Sequence, residues 1–207
     1  MSDPHFEKKL AERAAVARVA LTTSEMSQLE AYFALLKRWS ARMNLTALPL
    51  DGLPNHTVDR LFIEPLAAAR YVQKSPLDWI DIGSGGGSPA IPLKVLRKHA
   101  RLTMVESKGR KAAFLREAVR TLELHGTDVQ SVRFEELQRV GAADLITIRA
   151  VRADAELLAR CRGALRADGE ILLFQSAPLV ADVPGFKHLR AVQLTDAPAF
   201  LDVLRAV

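Results

Sequence analysis

Cys161 is the only cysteine in the chain. One thiol allows neither an internal disulfide nor a multi-thiolate zinc site, and it fits a reducing compartment. Long apolar runs are lacking too: none approaches the roughly 20 residues that cross a bilayer. The early acids Asp3, Glu7 and Glu12 do not suit a secretory leader. A cytoplasmic monomer with no membrane partner and no metal is expected. Internal repeats and low-complexity tracts are also missing, which excludes a solenoid or a linker array.

What the chain does have is 207 residues of 49% hydrophobic composition, enough for one core with an appendage. A net charge of +5 suits either a plain enzyme or one that binds RNA. The cations cluster. Lys94, Arg97, Lys98, Arg101, Lys108, Arg110, Lys111, Arg116 and Arg120 are opposed within their stretch only by Glu106 and Glu117. Two readings stand side by side, a face for a polyanion and the solvated outer faces of two helices.

The pattern changes at Ser75-Pro76. Before it, residues 5–20 and 24–42 carry apolar positions at helical spacing, with Ser24 as the expected N-cap, and a third helix is predicted over 60–72, bent in its first turn by Pro65. Residues 1–75 therefore read as a helical extension and 76–207 as the main body. Beyond Pro76, strands are predicted at 77–82, 102–106, 129–134, 144–148 and 170–174, alternating with helices at 89–98, 110–124 and 154–165. This alternation implies a parallel sheet covered on both faces. Segments 190–194 and 200–207 are predicted to close it as an antiparallel hairpin.

The most informative stretch is the first strand running into Gly83-Ser84-Gly85-Gly86-Gly87-Ser88-Pro89-Ala90. Glycines at the carboxyl end of a first strand let backbone turn sharply and approach a ligand closely. The turn also fits a dinucleotide fingerprint through Gly85, Gly87 and Ala90. Asp81 separates the two readings. A pyrophosphate is anionic, whereas the methionine end of S-adenosylmethionine carries an ammonium and a sulfonium, so an acid here favours the latter; the bland alternative is that Asp81 only holds the turn. Glu106, ending the second strand, stands where an acid accepts ribose hydroxyls. Phe134 and Glu135 fall in the loop expected over the adenine, with a core phenylalanine as the competing reading.

Five stretches together resemble the glucose-inhibited division protein B family, bacterial small-subunit ribosomal RNA guanine-N7 methyltransferases. They are Tyr-Phe-Ala-Leu-Leu-Lys-Arg-Trp-Ser-Ala-Arg-Met-Asn-Leu-Thr at 32–46, His56 to Leu61, Asp81 to Pro92, Glu106 to Leu115, and Arg133-Phe134-Glu135-Glu136 with Ile148-Arg149-Ala150. The resemblance implies a Rossmann-like methyltransferase fold, mostly parallel and seven-stranded, with an N-terminal helical extension. It further implies a cofactor pocket at Gly83, Ser88, Phe134, Glu135 and Arg149, and 16S ribosomal RNA or the small subunit as partner. The chain departs from the family pattern at Ser88, Ala90, Arg60 and Ser40.

Missing motifs narrow the chemistry independently. After the fourth strand the chain reads Thr147-Ile148-Arg149-Ala150-Val151-Arg152, not the Asn/Asp-Pro-Pro-aromatic loop used on exocyclic amines. Cys161, inside a predicted helix, is no C5 nucleophile. Guanine N7 presents a lone pair at neutral pH, so alignment suffices without a general base. Arg149 and Arg152 are expected to bond guanine O6 or a phosphate, with cofactor support as the competing role of Arg149. Arg38, Arg42, Lys108, Arg110 and Lys111 are the expected grips on flanking phosphates.

Overall fold

The computed structural model describes residues 4–137, 141–180 and 182–207. Seven strands form one sheet in the order β3-β2-β1-β4-β5-β7-β6. β1 (Asp78–Ile82), β2 (Arg101–Val105), β3 (Thr127–Gln130), β4 (Ala143–Arg149) and β5 (Leu165–Gln175) run parallel. β6 (Phe186–Gln193) and β7 (Phe200–Ala206) make the expected hairpin, and β7 inserts antiparallel beside β5. The central strands read apolar on both faces because helices cover both; Trp79, Ile80, Ile146 and Ile148 are wholly buried. Edge strand β6 buries Phe186, half-buries Leu189 against the first core and exposes Lys187, His188 and Arg190.

The helices follow the predicted alternation with local corrections. α1 spans Pro4–Val16 and α2 Thr23–Ser40. The N-cap of α2 is Thr22 rather than Ser24: its hydroxyl accepts from Glu25 N while Glu25 Oε2 accepts from Thr22 N, a capping box that Ser24 cannot form. The third helix begins five residues earlier than predicted and is composite. It comprises α3 (Asn55–Val58), a π-helical turn (Asp59–Ile63), α4 (Glu64–Ala68) and a 3₁₀ turn to Tyr71. The irregularity precedes Pro65, which sits at the start of α4 where its missing N–H is tolerated. α5 (Ala90–Leu96), α6 (Gly109–Thr121) and α7 (Ala155–Ala164) connect the parallel strands. β3 stops at Gln130, and Phe134 opens a 3₁₀ turn (Phe134–Glu136) instead of ending the strand.

The extension shares a core with the sheet. One apolar cluster runs from Phe6, Leu10, Tyr32 and Phe62 through Ile91 and Phe114 to Leu201. Phe6 stacks on Phe33 at 4.7 Å and meets Phe62 edge-on at 5.2 Å. A second cluster fills the opposite face with Ile80, Ile148, Cys161 and Leu173. Cys161 is a small core residue, as expected, and burial pushes its thiol up to about 12.

Candidate active site

The glycine turn between β1 and α5 forms the floor of a cavity of about 350 Å³. Gly83, Ser84, Gly85, Gly86 and Ser88 line it, with Glu106 and Lys111 on one side and Arg149 and Ala150 on another. The roof comes from the extension: Leu36 of α2 and the loop residues Leu45 to Leu48. Floor and roof nearly touch, since a Cβ on Gly86 would lie 2.9 Å from Leu45 O. The Tyr32 hydroxyl donates to Gly86 O at 2.6 Å and ties α2 to the turn. Gly87, at φ +91°, has a backbone that side chains rarely adopt. A Cβ there would meet Ile91 Cδ1 at 2.5 Å.

Glu106 stands where the sequence suggested. Its Oε2 accepts from Gly85 N at 2.9 Å and its Oε1 from Lys108 N at 2.8 Å, so the carboxylate is fixed by backbone and retains lone pairs toward the cavity.

Asp81 lies beneath the floor and is not one of the lining residues. It is 1% exposed. The Trp79 indole N–H donates to Thr147 Oγ1 at 2.8 Å, and that hydroxyl donates to Asp81 Oδ1 at 2.5 Å. Because the hydroxyl already accepts from Trp79, its one proton faces Asp81. Oδ2 is buried without a partner among the described residues. Burial pushes the Asp81 carboxyl up to about 6, against the hydrogen bonds and the charge of Arg149.

Arg149 closes β4 and bridges three elements. Nη1 donates to Ser88 Oγ at 2.9 Å and to Arg60 O at 2.5 Å, Nη2 donates to Glu64 Oε2 at 3.0 Å, and the guanidinium sits 4.7 Å above the Phe174 ring. Burial lowers it to about 10 despite Glu64. Glu64 is itself raised, because its own burial outweighs Arg149 and Arg60. The Ser88 hydroxyl also donates to Leu61 O at 2.8 Å, so this departure from the family pattern is part of the same clasp. Most of the Arg149 donors are thus spent on protein, and its Nε is buried without a partner among the described residues.

The remaining expectations divide. Phe134 is buried in the second core cluster, Glu135 is exposed, and neither lines the cavity. Arg42, Lys108, Arg110 and Arg152 are exposed, and Lys111 is on the cavity wall. Arg38 is ion-paired with Glu117, which also accepts from the Trp39 indole. The cationic stretch 94–120 is not one face. Lys94 is buried and donates to Lys98 O and Ala100 O; Arg97 donates to Val72 O and Ala69 O; Arg101 pairs with Asp78. Sequence reasoning missed Glu64, the roof loop and Thr147. An acid four residues after Arg60 within an apolar helix was the available signal for Glu64.

Two orphaned atoms of opposite sense fit S-adenosylmethionine, Arg149 Nε on the cavity wall and Asp81 Oδ2 beneath its floor. Asp81 Oδ2 is an acceptor wanting a cation, Arg149 Nε–H is a donor wanting an anion, and the two charges act on each other. An α-amino acid head group carries both complements, and Glu106 offers lone pairs for ribose hydroxyls.

The family model for GidB, rRNA small subunit methyltransferase G, matches residues 25–193. A ribosomal RNA small subunit methyltransferase G from Roseiflexus sp. is 36% identical over 168 residues, covering 79% of this chain and 70% of the relative. The one from Marinobacter nauticus is 34% identical, covering 83% and 78%. Among solved structures, a SAM-dependent methyltransferase from Aquifex aeolicus superposes with TM-score 0.60 at 12% identity, covering 84% of this chain and 98% of that one. The tRNA (m1A58) methyltransferase of Aquifex aeolicus gives 0.55 at 15% identity, covering 70% and 68%. These two likenesses establish the fold.

Proposed function

The chain belongs to the GidB family of rRNA small subunit methyltransferases G, and from that premise we propose that it methylates N7 of a guanine in 16S ribosomal RNA. The methyl donor is S-adenosylmethionine. The observation that carries the reading is the cavity at the β1 turn, where buried Asp81 and Arg149 leave one acceptor and one donor unmatched.

When bound, the cofactor supplies a methyl group activated by its sulfonium. The chain's residues bind, orient and shield. Asp81, beneath the floor, supplies the negative charge that favours the ammonium, Arg149 Nε takes the carboxylate, and Glu106, braced by Gly85 N and Lys108 N, receives the ribose. Leu36 and Leu45 cover the turn and keep water from the reacting end. Arg149 acts as a positioning residue, since Arg60 O, Ser88 and Glu64 hold its guanidinium. The titratable residues on the wall are Arg60, Glu106, Lys111 and Arg149; N7 alkylation needs no general base, because the ring nitrogen already presents its lone pair. The target guanine has to leave its stack to reach this depth.

Labelled S-adenosylmethionine and small subunits from a strain lacking the enzyme provide the test. Label recovered as 7-methylguanosine at one position supports the reading. Label in another nucleoside, or none while cofactor binds, refutes the N7 assignment.

A further inference from the structure

A second cleft, of about 400 Å³, opens beyond the cofactor cavity and is lined by Arg13, Arg18, Ile63, Arg70, Gln193 and Thr195, among others. Three arginines line it. Arg13 is held by Asp59, donating through Nε and Nη2 at 2.7 Å each, which leaves Nη1 free of that pair. Arg70 caps the end of the first helical segment by donating Nη2 to Ala17 O and Arg18 O, with Nε and Nη1 in reserve. Arg18 is exposed and has no ion-pair partner among the described residues. Thr195 Oγ1, on the same wall, has no hydrogen-bond partner among the described residues. Asp196 is the opposing charge on the lining.

Its position gives the cleft a role. Gln193 of β6 and Gln175 of β5 both pair with Phe200, so Gln193 stands at the carboxyl end of the parallel strands, the end at which β4 delivers Arg149. The π turn Asp59–Ile63 is a shared wall. Arg60 and Leu61 line the cofactor cavity, whereas Ile63 and the Asp59-bound Arg13 line the cleft. On the RNA reading, this shared wall makes the cleft the neighbouring site for phosphates flanking a base in the cavity. Guanidinium forks with one edge anchored and another free suit phosphate oxygens.

We propose that the Arg13, Arg18 and Arg70 cleft grips the phosphodiester backbone of the RNA beside the target guanine. The proposal rests on the RNA reading above and adds a binding surface separate from Lys108, Arg110 and Lys111.

The test is binding of the full chain to small subunits over a salt series, with Arg18→Ala and Arg18→Lys. Each phosphate contact contributes about 0.7 to 0.9 to the slope of log affinity against log salt. Arg18→Ala is expected to lose about that much slope and to bind several-fold more weakly at low salt, with cofactor affinity unchanged; Arg18→Lys is expected to keep the slope. An unchanged slope in Arg18→Ala, with wild-type binding intact, overturns the cleft alone. Failure of the wild-type chain to bind or methylate subunits overturns the functional reading and the cleft with it.

Discussion

Asp81 is the residue on which pH should act. Its folded pKa, about 6, lies above the ordinary 3.8, so the folded chain holds the proton more tightly than the unfolded one. Ionised Asp81 therefore burdens the free protein above about 6, and that burden is relieved as pH falls from about 6 toward 4. Denaturant titrations without cofactor are expected to show this gain and to lose it in Asp81→Asn. Cofactor binding has the opposite sign: the ammonium needs the carboxylate, so affinity declines below about 6. Glu106 adds to the upward shift, and Arg149 and the Thr147 hydroxyl oppose it. Thr147→Val removes that hydroxyl's proton and should move the acid limb of cofactor binding to higher pH, with Thr147→Ser restoring it. An acid limb that stays in place in Thr147→Val would separate Thr147 from the site.

Among the elements, the turn from α5 into β2 is closed from within by Lys94, whose Nζ donates to Lys98 O at 2.8 Å and Ala100 O at 2.5 Å. Burial lowers this amine to about 8. Lys94→Ala should cost about 1 to 3 kcal/mol in chemical denaturation through two lost hydrogen bonds and a vacated core position. Its salt dependence on subunits should match wild type; a reduced slope would return Lys94 to the RNA face. At the β1 turn, Gly86→Ala forces a Cβ to within 2.9 Å of Leu45 O, backbone that has to shift. Weakened cofactor affinity with little loss of stability is the expected result by isothermal titration, and unaltered affinity would mean that the roof loop yields freely.

The two examples also mark what sequence can deliver. The β1 turn, Glu106 and the strand-helix alternation were legible because each is written in adjacent residues: an apolar run, a glycine cluster, an acid at a strand end. Lys94 was misassigned because a cation in a helical segment has no local mark of burial; the carbonyls that receive it are fixed only by the turn into β2. Arg149 was legible as a strand-end arginine, and it lines the cavity, but its clasp was not legible. Glu64 lies 85 positions away and Ser88 61, and only the closed fold brings them to it. Phe134 was a balanced choice between base contact and core, and it is buried in the cluster that holds Ile80 and Ile148.

For the whole molecule, the helical extension shares its apolar core with the sheet helices and is expected to unfold with them. Phe6 and Leu10 of α1 are wholly buried, and the cluster they enter continues into the sheet helices. Phe6→Ala should destabilise the entire chain by about 3 to 5 kcal/mol, as a single transition seen alike by near-ultraviolet and far-ultraviolet circular dichroism. Two resolved transitions would mean that the extension melts separately from the sheet.

The roof over the β1 turn has a consequence for how the protein survives heat and proteases. The cavity does not exist within either half of the chain: Leu36 and Leu45 supply one side, Gly85 and Glu106 the other. A molecule lodged between them fastens the two halves as a rivet does, and by mass action it stabilises only the state in which both are docked, by RT ln(1 + [L]/Kd). Amide protons of α2 and the roof loop, which belong to no strand, should then exchange more slowly whenever methyl donor is plentiful.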